Sequence, residues 1–64
     1  MTNTLVTEMV KNSPEYRVEA ADGTVVARSH CVQEQLRLFT VVIGGKWSGV
    51  LPEAKAVELL QGMC

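Results

Sequence analysis

The 64-residue sequence predicts an α+β fold: a small antiparallel β-meander of three to five strands with a C-terminal amphipathic helix packed on one face. Three observations carry this. Turn-forming residues recur at short intervals, at Asn12-Ser13-Pro14, Asp22-Gly23, Gly44-Gly45 and Pro52, a spacing that suits short strands. The runs between them alternate in polarity or are rich in β-branched residues. The last dozen residues then change to a helical period. With connections this short, neighbouring strands are expected to pair in sequence order.

The length fits a single domain spanning residues 1–64. A domain of this size buries only about 60% of the surface its unfolded chain exposes. Hydrophobic residues nevertheless make up 47% of the chain. Some of that apolar material is expected to face a second subunit.

The segment TLVTEMVK reads in two ways. As a strand it places Leu5, Thr7 and Met9 on one side; as a short helix it groups Leu5, Met9 and Val10. The segment Glu15 to Ser29, EYRVEAADGTVVARS, is the clearest unit. Asp-Gly between alternating runs signals a hairpin, with a type I′ turn needing positive φ at both central residues. With Asp22-Gly23 as the loop, Ala21 faces Thr24, Val18 faces Ala27 and Arg17 faces Arg28. Tyr16, Val18, Ala20, Val25 and Ala27 then form the core face, and Arg17, Glu19, Thr24, Val26 and Arg28 the wet one.

HCVQEQLRLF is open between helix, through Val32, Leu36 and Phe39, and an extension of the next strand. Gln33-Glu34-Gln35 favour helix, so a short helix or irregular crossing is expected. Leu36 to Leu51 forms a second hairpin around Gly44-Gly45, in which Val42 faces Trp47 and Phe39 faces Val50. One face carries Leu36, Leu38, Val42, Trp47 and Leu51; the other carries Phe39, Val41, Ile43 and Val50. A strand apolar on both sides is buried on both sides. Pro52 to Met63 is expected to be helical: Pro52 and Glu53 suit a helix start, Gly62 a stop, and Ala56, Val57, Leu60 and Met63 recur at helical spacing. That helix covers one sheet face and leaves the other for a partner.

Chemistry-bearing motifs are sparse. Gly44-Gly45-Lys46 resembles part of a phosphate-binding loop, but Thr40 stands where the first glycine belongs, Trp47 stands where Ser or Thr belongs, and no helix follows directly. The reading is a turn with a solvated lysine. His30 and Cys31 are adjacent, which in a strand sends them to opposite faces, so no nucleophile–base pair is expected. One His and two distant Cys, Cys31 and Cys64, do not make a metal-ligand set. Glu15, Glu19 and Asp22 read as solvated acids. No catalytic residue, cofactor or metal is expected, and an enzyme is disfavoured.

Six Lys and Arg against seven Asp and Glu give a net charge of −1, which lacks the basic footprint of a general nucleic-acid binder. Arg17, Arg28 and Arg37 form a candidate anion-binding patch, with Glu19 diagonal to Arg28. Phe39, Val41, Ile43, Trp47 and Val50 form a candidate interface. Trp47 suits either the core or an exposed anchor, and Met1, Met9 and Met63 read as terminal or gap-filling residues. No run approaches the roughly 18 apolar residues of a membrane span. The N-terminal residues lack a basic start and an apolar core of signal length, so a cytoplasmic setting is expected. The functional expectation is a non-catalytic protein–protein interaction module, a regulator or inhibitor acting as a homodimer. The alternative is a nucleic-acid-associated regulator that uses the arginine face of the first hairpin.

Overall fold

A computed structural model describes residues 2–64; Met1 lies outside them. Five strands and one helix follow in order: β1 (Thr4–Val10), β2 (Ser13–Glu19), β3 (Val25–Gln33), β4 (Leu38–Ile43), β5 (Lys46–Pro52) and α1 (Glu53–Gln61). Every sequential pair of strands is antiparallel and the sheet order is β1-β2-β3-β4-β5. The α+β meander with a C-terminal helix on one face is therefore the observed architecture.

The turns explain the registers. Val10 pairs with Ser13 and Ile43 with Lys46, which leaves two-residue loops at Lys11-Asn12 and Gly44-Gly45. All four loop residues have positive φ, between 50° and 81°, the requirement of a type I′ turn. The Asp22-Gly23 hairpin departs from the type I′ expectation. Only Gly23 has positive φ, at 90°, and Gly23 N–H donates to the Ala20 carbonyl at 2.9 Å. Ala20 N–H donates to the Thr24 carbonyl at 2.8 Å, so the loop holds three residues. The Thr24 N–H donates to the Asp22 carboxylate at 2.9 Å, which holds that carboxyl below its usual range.

Arg17 pairs with Arg28 and Val18 with Ala27, as the sequence predicts. Beyond Val18 the register shifts, and Glu19 pairs with Val25. A bulge adds one residue to one strand and reverses the facing of the residues beyond it. Val25 is consequently exposed, while Val26 packs against the core, the reverse of their expected assignments. A second bulge, at Ser48-Gly49, separates Val42–Trp47 from Thr40–Val50. Phe39 therefore faces Leu51 rather than Val50, and Val50 and Leu51 exchange faces. Gly49, with φ of 93°, supplies the left-handed residue there.

The expected helix or irregular crossing after His30 is strand instead. β3 runs on to Gln33, and only residues 34–37 turn the chain, closed by Arg37 N–H to the Glu34 carbonyl at 3.3 Å. Pairing with β4 outweighs the modest helical preference of Gln33-Glu34-Gln35. Residues 4–10 take the strand reading of the N-terminal segment.

α1 lies across β2, β3, β4 and β5. Its buried residues, Ala56 and Leu60, meet Val18, Ala27, Phe39 and Val41 to form the core. Tyr16 leans on Phe39 with ring centroids 5.7 Å apart at a tilt of 54°, an arrangement that suits the aromatic quadrupoles. The Tyr16 hydroxyl donates to Glu53 at 2.8 Å, and the Glu53 N–H donates to the Arg37 carbonyl at 3.0 Å. These contacts fix where α1 begins. At its other end, Asn3 Nδ2 donates to the Met63 carbonyl at 3.0 Å.

Candidate functional site

One helix covers one side of the sheet, and the other side remains open. Side chains directly opposite each other in neighbouring strands share a face, so the register reads out the open side in rows. One row is Val6, Arg17, Arg28, Val42 and Trp47, crossing all five strands. The next holds Glu8 and Glu15 on β1 and β2, and His30, Thr40 and Val50 on β3, β4 and β5. Val25 lies on the same face beside Glu19.

This face has two characters. Its β1–β2–β3 part is charged and internally paired. Arg17 donates through Nε to Glu19 at 2.7 Å and through Nη1 to Glu8 at 2.8 Å. These bonds to Glu19 and Glu8 raise the Arg17 pKa further. His30 Nδ1 lies 3.2 Å from Glu15. The β4–β5 part is apolar: Val42 is half-buried, Val50 is exposed, and Trp47 is 66% exposed. Trp47 is thus exposed rather than a central core residue, with Val42 as its direct cross-strand neighbour.

The three arginines do not form one patch. Arg17 and Arg28 are opposite each other, but Arg17 is held by two carboxylates. Arg37 precedes β4 at the far end of the sheet, with φ of 52°, and its Nε lies 3.6 Å from Glu53. Among the described residues Arg28 alone of the three has no ion pair.

The candidate interface also divides. Phe39 and Val41 are fully buried under α1 and are core residues, out of reach of a partner of the folded chain. Ile43 is half-buried and packs on that core, beside a shallow apolar groove lined by Leu51, Leu59 and Met63. Only Trp47 and Val50 lie on the open face. Unbroken alternation along the strands places Val25 and Val50 on the wrong faces, because the bulges beside Val26 and at Ser48-Gly49 shift the register. Gly49 was the one visible signal of the second bulge.

His30 and Cys31 point to opposite sides: His30 to Glu15, and Cys31 to the core that packs Phe39. Among the described residues no group of three His, Cys, Asp or Glu is arranged to hold a metal ion. No helix among the described residues is long and apolar enough to cross a membrane. No family model, curated protein or solved structure matches the chain.

Proposed function

We propose that the chain is a non-catalytic protein-binding module and that its binding surface is the open face of the sheet. The observation that carries this is Trp47, exposed beside Val42 and Val50 on the side that α1 does not cover. A tryptophan left in water forfeits most of the burial free energy of the largest side chain. Binding surfaces use such a residue as an anchor, ringed by contacts that exclude water. Thr40 and His30 in the next row, and Arg28 at the β3 end of the Trp47 row, supply the polar rim. The pairing of Arg17 with Glu8 and Glu19 argues against the nucleic-acid alternative, since among the described residues it leaves Arg28 as the single guanidinium on this face outside an ion pair. One phosphate contact gives little affinity at physiological salt.

Site-specific photocrosslinking in the cells that make the protein tests this reading. A photoreactive side chain at position 47 is expected to capture protein, and excess unlabelled wild-type chain to compete for it. The same group at Ala54, exposed on α1, is the control. Equal capture at both positions, or none at 47, contradicts the assignment.

A further inference from the structure

We infer that the occupant of the open face is a second copy of the chain, an inference that rests on reading this face as a binding surface. Consider a two-fold axis lying between two facing sheets, parallel to β4 and passing over Val42. This rotation keeps each cross-strand row at its level along the strands and exchanges β3 with β5. Val42 then meets the partner's Val42, and Arg28 of each chain lies over the partner's Trp47. One row along, Thr40 meets the partner's Thr40 and His30 lies beside the partner's Val50. The match follows from the register, in which Arg28, Val42 and Trp47 occupy one row on three successive strands. Facing sheets pack with strands inclined by about 30°, so the row nearest the axis keeps this correspondence best.

The charges favour this occupant. Arg28 is exposed and, among the described residues, in no ion pair. A guanidinium over an indole face is the most favourable common cation–π geometry, and the two-fold makes it twice. The paired groups of the charged part, Arg17 with Glu8 and Glu19, lie towards β1 and overhang the contact. Those ion pairs stay in water, and their desolvation does not oppose association.

The area sets the strength. Three strands spaced about 4.8 Å apart, with six residues rising about 3.3 Å each, give a patch of roughly 14 by 20 Å. Allowing for side-chain relief, this is on the order of 500 Å² of accessible surface per chain, near the lower limit of specific interfaces. The expected dimer is therefore weak, with a dissociation constant of roughly micromolar order.

Sedimentation equilibrium on the full chain tests the proposal through Arg28→Ala, Trp47→Ala and their equimolar mixture. Circular dichroism first establishes that both variants fold. Wild type is expected to show a monomer–dimer equilibrium, and each variant to weaken it by about tenfold or more. The mixture is expected to associate more tightly than either variant alone, beyond the statistical gain of mixing. A heterodimer of the two keeps one intact Arg28–Trp47 contact, whereas each variant homodimer keeps none. A wild type that stays monomeric at high micromolar concentration overturns the proposal, as does a mixture no tighter than its components. If the purified chain is monomeric while position 47 captures a different protein in cells, the second copy is excluded and the binding face stands. If position 47 captures nothing, both fall.

Discussion

Ser29 sits at the middle of the core with its side chain fully buried, and among the described residues its hydroxyl has no hydrogen-bond partner. The register explains its position, between Tyr16 and Val41 on the covered face. An unpaired buried hydroxyl costs about 1–3 kcal/mol. Ser29→Ala is therefore expected to leave stability unchanged or raise it by about 1 kcal/mol, measured as a urea midpoint shift at constant slope. Phe39 is the opposite case: it is fully buried between Tyr16 and α1. Truncating a core Phe costs about 3–5 kcal/mol, comparable to the whole stability of a chain this short, roughly 3–10 kcal/mol. Phe39→Ala is expected to lose most of its near-ultraviolet circular dichroism at 37 °C, whereas Trp47→Ser keeps its far-ultraviolet spectrum and its melting temperature at low concentration. A comparable loss in both variants would place Trp47 in the core.

Among the elements, α1 depends most on side-chain contacts. Pro52, at its N-cap, makes no side-chain capping bond. The link from Tyr16 to Glu53 and the Arg37 carbonyl take over part of that role. Burial, followed by the bond to the Glu53 carboxylate, raises the Tyr16 pKa above its usual value, with Arg37 opposing. A raised pKa means that the fold favours the protonated phenol. Its stabilising contribution is full below the unfolded tyrosine value of about 10 and fades as the pH rises through the folded value. Tyr16→Phe is expected to cost about 1 kcal/mol at neutral pH and to flatten the loss of stability above about pH 10 relative to wild type. Identical alkaline limbs in the two proteins would remove Tyr16 from that account. At this scale the sequence was legible wherever turn chemistry alone decided. Gly44-Gly45 set the Val42–Trp47 pair; Val18 meets Ala27 because the extra residue of β3 offsets the three-residue loop. It was illegible where one added residue changed the facing without changing composition, as beside Val26 and at Ser48-Gly49. The strand from His30 to Gln33 was hidden for another reason: its residues accept either conformation, and the choice is made by β4, a long-range partner that local propensity cannot register.

At the scale of the whole molecule, a five-stranded sheet and a single nine-residue helix leave one side without cover. The sequence announced this imbalance through a strand apolar on both sides. The helix covers the side of β4 that carries Phe39 and Val41 and so removes them from the open face, while the bulges put Val25 and Val50 on it. The same geometry separates folding from association. Changes on the covered face, such as Phe39→Ala, act on stability, while Trp47 and Arg28 are expected to act on association alone. The arginines illustrate why site chemistry was harder to read than fold. Arg17, Arg28 and Arg37 look equivalent along the chain, but only the folded register gives Arg17 its two carboxylates and Arg37 the helix start, leaving Arg28 without an ion pair among the described residues. The most direct test of the self-associating open face is the fluorescence of Trp47, the only tryptophan in the chain, followed through a dilution series. The expected result is blue-shifted emission at high concentration that moves red on dilution, with a midpoint matching the mass transition and absent in Arg28→Ala. Emission that stays red at every concentration, or blue at every concentration, would contradict it.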